Sequence, residues 1–218
     1  MFRVIILSQW KWSRLALAIV TVVAFALPLL TVQSVGLPGG GQRAVTQQLD
    51  AVASWSVWYP FLALTAGLLL AMTAWGNDHR GRHVYSLTLP IPRWQYALLR
   101  YGAGVVLLAA PIVMLWIGAL VATTTATIPP GLHAYPTALA FRFLIAAVVA
   151  YSVFFSISAG SSRTAGYVLG IIVGLFLIQF LLALAETRFN LLQTIFDRLL
   201  VWPGPLEPFT GRWMLIDV

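Results

Sequence analysis

Cysteine is absent from the 218-residue chain. That excludes disulfides, thiolate metal sites and a cysteine nucleophile. Charge is scarce as well: charged residues make up 9% of the sequence, against about 25% in an ordinary soluble domain. Only 6 residues are acidic, and none lies inside a long apolar run. The chain therefore offers no buried carboxylate of the kind that proton- or ion-coupled carriers use. No phosphate-cradling loop is present either, since GLPGGGQR (Gly36 to Arg43) lacks the lysine-serine or lysine-threonine ending. Any energised work must draw on another subunit or on an ion gradient.

What remains is oil. Hydrophobic residues make up 60% of the chain and the mean hydropathy is +0.89. So little polar surface cannot coat a water-facing globule, and the sequence reads as an all-α integral membrane protein. Five apolar runs approach the roughly 20 residues that a spanning helix needs. They cover about residues 15–32, 52–75, 101–122, 137–159 and 164–185. The first is too long for a signal-peptide core and no small-residue cleavage site follows it, so no cleavable signal is expected. After the fifth run, residues 188–201 alternate apolar and polar pairs at helical spacing. That pattern predicts an amphipathic helix lying in the membrane interface.

The net charge of +7 would suggest nucleic acid in a soluble protein. Here the basic residues flank apolar runs, which is where membrane topology puts them, and no nucleic-acid partner is expected. Arg3, Lys11, Arg14, Arg80, Arg82, Arg93, Arg100 and Arg163 fall on the side of the N-terminus. Fewer fall opposite: Arg43, Arg188, Arg198 and Arg212, with Arg142 near them and close enough to the edge to snorkel outward. The bias predicts a cytoplasmic N-terminus and a multi-pass protein of the plasma, or bacterial inner, membrane. Trp55, Trp58, Tyr59 and Tyr135 fit an aromatic belt on the outer face.

Chemistry-bearing clusters are few. His79 and His83 have helical metal-ligand spacing, but Gly81 lies between them and no third ligand of matching type other than Asp78 is near. No metal site is expected and no catalytic constellation is visible. Gly166, Gly170 and Gly174 recur every four residues in the fifth run, a spacing that permits close helix packing within or between subunits. Gln179 is the clearest polar residue inside a run.

The densest charge sits in the connector between the second and third runs, residues 76–100. Val84, Leu87 and Leu89 lie to one side of a short stretch that Pro90 and Pro92 close. This pattern predicts a short interfacial helix lying across the cytoplasmic surface. The order N-D-H-R-G-x(7)-L-P-I-P-R (Asn77 to Arg93), followed by Leu-Leu-Arg-Tyr (Leu98 to Tyr101), resembles the first cytoplasmic loop in permease subunits of type-two ABC transporters. The matching positions are Asp78, Gly81, Leu89, Pro90, Arg93 and Arg100. The run pattern is similar over essentially the whole chain. Arg82 departs from the small hydroxyl residue usual after the glycine, and the family's sixth span is missing after the outer amphipathic segment.

The resemblance implies a half-transporter that carries no cofactor and is not itself an enzyme. ATP and magnesium would be held by separate soluble ABC ATPase subunits docked on the connector helix. Asp78, Gly81, Arg82, Val84, Leu87, Leu89, Pro90 and Arg93 would form the coupling contact. A second permease copy or homologue, surrounded by membrane lipids, would complete an exporter. The alternative is a non-transporting membrane subunit or assembly factor of a larger complex. A lipid-modifying membrane enzyme is the weakest reading, for want of catalytic groups.

Overall fold

The computed structural model describes residues 2–34, 54–80, 92–125, 132–160, 162–184, 191–201, 203–210 and 213–217. Helices dominate: α1 (Phe2–Ser34), α2 (Trp58–Arg80), α3 (Arg93–Thr125), α4 (Pro136–Ala159), α5 (Ser162–Leu184) and the short α6 (Leu191–Leu200). A 3-10 turn at Glu207–Phe209 follows, and two short strands, β1 (His133–Ala134) and β2 (Ile216–Asp217), pair antiparallel. Among the described residues four helices are long and apolar enough to cross a membrane: α1, α2 with the turn before it, α3 and α4. α5 has 23 residues, and its stretch Val173–Leu182 is apolar.

Two helices overrun the apolar runs that predict them. α1 and α3 each have 33 residues, about 50 Å at 1.5 Å per residue, against roughly 30 Å of hydrocarbon. Charged residues end a run of hydropathy without ending a helix, because arginine and lysine are good helix formers. The connector shrinks for the same reason. α2 continues to Arg80 and α3 begins at Arg93, so both helices reach into the connector of residues 76–100. Pro92 stands just before α3 and its carbonyl accepts from the N–H groups of Gln95 and Tyr96 at 3.0 and 3.2 Å. A proline is well placed there, since the first amides of a helix lack partners in any case.

Packing is interleaved. α1 packs chiefly on α3 and α2 chiefly on α4, while α3 and α4 close the bundle. Small residues allow this closeness. A Cβ on Gly67 of α2 would lie 2.6 Å from the Tyr151 nitrogen and 2.7 Å from Ala150 Cβ on α4. A Cβ on Gly118 of α3 would run into the Phe25 carbonyl of α1. Buried Ala63, Ala66, Ala71, Ala146, Ala147 and Ala150 continue the α2–α4 seam. By contrast, among the described residues α5 touches α4 at only a few points. Gly170 and Gly174 have nothing within 4 Å of an added Cβ, so among the described residues they pack against no other helix. The surroundings of Gly166 lie outside the described side chains.

The end of the chain folds back. Among the described residues, Trp213 to Asp217 are extended, and β2 lies against β1 at the mouth of α4, with His133 opposite Asp217 and Ala134 opposite Ile216. Pro203, Pro205 and Pro208 interrupt helix after α6 and turn the chain onto the bundle. Trp213, Leu215 and Ile216 are buried there. Where the sequence suggests the approach to a further span, the chain forms a cap.

Candidate functional site

Two polar clusters close the two ends of the four-helix bundle. The first lies at the end where α1 and α3 begin. Arg100, only 8% exposed, places its guanidinium 5.1 Å from the Trp75 ring centre and 5.2 Å from that of Tyr96. Trp75 stands in α2 and Tyr96 in α3, on either side of residues 81–92, so one side chain ties together the two helices that flank this stretch. Cation–π contacts of this kind contribute roughly 2 kcal/mol when desolvated. Aromatic rings carry the tie into α4. Trp75 packs on Phe155 with ring centres 5.4 Å apart, and Phe155 meets Tyr101 and Tyr151 at 5.5 Å each. Tyr101 stacks on Tyr151 at 5.4 Å, and its hydroxyl is hydrogen-bonded to Ser152 Oγ at 2.8 Å.

α1 enters the same cluster through Gln9 and Ser13, both buried. Ser13 Oγ donates to the Gln9 carbonyl at 2.8 Å, the usual back-bonding of a helical serine. The Gln9 amide lies beside the Tyr151 hydroxyl. Even so, Gln9 Nε2 and Oε1, Tyr151 Oη and Trp75 Nε1 are buried and make no hydrogen bond of good geometry. Gly104 of α3 makes room for the Tyr151 phenol, since a Cβ there would run into the ring. We expect Arg100→Ala to lower the melting temperature in detergent by an amount equivalent to about 2 kcal/mol, with Arg100→Lys recovering part of it. Equal melting of Arg100→Ala and the parent would remove the tie.

The second cluster lies at the opposite end. Tyr59 is fully buried, its hydroxyl shared with Thr31 Oγ1 at 3.1 Å, and its ring stacks on Trp213 at 6.4 Å and 5°. Arg142 joins this assembly, its guanidinium 5.5 Å from the Trp213 ring centre. Arg142 Nε donates to the Pro208 carbonyl at 3.2 Å, and a terminal nitrogen pairs with Glu207 at 3.5 Å. The side chain expected to snorkel toward headgroups instead tethers the returning tail. Leu215 O accepts from the Tyr135 N–H at 2.9 Å and completes the cap.

The connector residues singled out by sequence fare unevenly. Gly81, Arg82, Val84, Leu87, Leu89 and Pro90 lie outside the described residues. Asp78 stands in the last turn of α2 and Arg93 is the first residue of α3; their side chains are not among those described. The resemblance had matched Arg100 only as a basic entry to the third run, and Gln9, Trp75 and Tyr151 were missed altogether. A glutamine and a tyrosine inside or beside apolar runs were the available signals. Among the described residues, no group of three His, Asp or Glu is gathered as a metal ion would need. No family model matches the chain, and no curated protein or solved structure is significantly similar to it.

Proposed function

We propose that this chain is the transmembrane permease subunit of an ATP-driven ABC transporter, an exporter with five spans. Its N-terminus lies in the cytoplasm and ATP is hydrolysed on separate soluble subunits. The observation that carries the reading is the Arg100 tie. Both flanks of the connector meet in one buried cluster that also holds α1 and α4, so a push on the connector moves four helices rather than one loop. A docking lever needs that rigidity at its base, because alternating access requires two discrete arrangements of packed helices. The connector motif from Asp78 to Arg93 supports the same reading.

The test is co-purification from the native membrane. A soluble ATPase is expected to accompany the chain. Pro90→Ala together with Arg93→Glu is expected to lower transport on the order of tenfold while ATP hydrolysis continues, the size of an ordinary coupling free energy. A chain that carries no ATPase, and whose connector tolerates both changes, is not such a permease.

One observation favours the alternative, a non-transporting subunit of a larger complex. Tyr167, Ile171, Phe176 and Phe180 of α5 all stand exposed, as on a helix that awaits a neighbour. Under that reading the chain enters a stable assembly without any ATPase.

A further inference from the structure

We propose that the outward face of α1 around Arg14 docks a membrane helix of another protein, one that carries an aspartate or glutamate opposite that arginine. The inference rests on the membrane setting and on neither functional reading. The first observation is depth. α1 and α3 run parallel: Phe25 of α1 lies against Gly118 of α3, and Gln9 meets the Tyr151 phenol that lies against Gly104. In that register Arg100, which directly precedes the third apolar run, is level with about Ile6. Arg14 stands 8 residues further along α1, or about 12 Å. α2 gives a similar answer. Ser13 and Leu17 line one groove with Leu69 and Leu70, and Trp75, where the second run ends, lies 5 residues beyond Leu70, or about 8 Å. By sequence Arg14 merely precedes the first run. By packing it stands about 8–12 Å inside the level where the second and third runs stop.

The second observation is isolation. Lys11 and Arg14 are exposed, on the side of α1 opposite the buried Gln9, Ser13 and Leu17. Neither makes a hydrogen bond or an ion pair with a described residue. Exposed Leu7, Leu15 and Val22 share their face, which gives the pair of cations an apolar surround. Cations at membrane depth ordinarily face the inside of a bundle and are paired there. Arg14 faces out.

The third observation is reach. Side chains on a helix lean toward its N-terminus, here toward the charged end of the bundle. An extended arginine spans roughly 6 Å, five staggered bonds of about 1.5 Å each. Lys11, nearly one turn closer to the edge, can snorkel to headgroups unaided. Arg14 falls short. A lipid phosphate would have to sink into hydrocarbon to meet it, whereas a helix can carry a carboxylate at any depth. The chain has 6 acidic residues, and none lies inside an apolar run. Asp78, on the same side of the bundle, stands 3 residues beyond Trp75. A second copy therefore brings no carboxylate to the level of Arg14, and the partner is a different polypeptide.

The full chain, with a photoreactive phenylalanine derivative in place of Leu15, is irradiated in its native membrane. One polypeptide is expected to be captured, and its sequence to hold an apolar span with an aspartate or glutamate inside it. Arg14→Leu is expected to lower the capture roughly tenfold or more, as the loss of one member of a desolvated charge pair does. Arg14→Lys should keep most of it. Exchanging the charges, with Arg14→Glu here and arginine for the carboxylate of the captured chain, should restore the capture that either change alone abolishes. Purified in detergent, the Arg14→Leu chain should melt with the parent, which separates loss of a partner from loss of the fold. The same probe at Val153 of α4, also exposed, should not capture that polypeptide. Capture of lipid alone means that Arg14 turns to headgroups and overturns the proposal. Capture of a second copy of this chain overturns it as well, as does a polypeptide whose yield survives Arg14→Leu or is equal at Val153.

Discussion

Gly67→Val is expected to lower stability by about 3 kcal/mol or more, enough to loosen the bundle. At this position α2 and α4 approach until a Cβ on Gly67 would lie 2.6 Å from the Tyr151 nitrogen and 2.9 Å from the Ala150 carbonyl carbon. Both contacts are backbone, so no rotamer change relieves them and the two helices must separate. Overpacking of a dense core typically costs 1–3 kcal/mol, and a β-branched side chain against backbone belongs at the upper end. Separation would also pull Tyr151 away from Tyr101 and Phe155, loosening the Arg100 cluster from α4. Thermal unfolding in detergent measures the loss. Gly174→Val is the internal control. With nothing within 4 Å of its Cβ, it should stay within about 0.5 kcal/mol of the parent, like an ordinary surface change. Equal melting of the two variants would mean that the α2–α4 seam is not closed as described.

The second large effect is Trp213→Ala, expected to cost about 3–5 kcal/mol, as large aromatic deletions from a core do. Trp213 is 2% exposed and contacts both the Tyr59 ring and the Arg142 guanidinium. Its loss leaves a void where α1, α2 and α4 meet the tail. Trp213→Phe keeps a ring over Tyr59 and should recover more than half. Arg142→Met should be milder, on the order of 1 kcal/mol, because the Glu207 pair is partly exposed and worth little. What Arg142→Met should change most is protection of the tail: limited proteolysis between Pro203 and Trp213 is expected to speed up in that variant. A Trp213→Ala protein that melts like the parent would show that the cap is only draped on the bundle.

Most of the architecture is written in hydropathy. The apolar runs mark the helices, and the amphipathic pairs after residue 188 mark α6 at Leu191–Leu200. Their ends were less legible. Hydropathy reports where hydrocarbon stops, whereas a helix stops at a breaker, and so α1 and α3 run on through charged residues. The glycine stripe shows a different limit. Ala63, Gly67 and Ala71 repeat every four residues just as Gly166, Gly170 and Gly174 do. Periodicity cannot say which stripe meets a helix of the same chain, because that depends on which helices are neighbours. Of the site, the charge of Arg100 was visible, but not that it sits between Trp75 and Tyr96, which are 21 residues apart in the sequence by their numbers. The cap was hidden because a few extended residues after three prolines look the same whether they pack or dangle.

The interleaved pairing also bears on how the molecule is made. In a chain that inserts its helices into a membrane in order, α1 finds its chief partner only when α3 has followed it, and α2 only when α4 has. Under the proposed membrane setting the first two helices wait in lipid with their best contact faces uncovered. Long sequence separation between partners slows closure. During synthesis, the interval between the second and fourth insertions is therefore when this chain is most exposed to chaperones and membrane proteases.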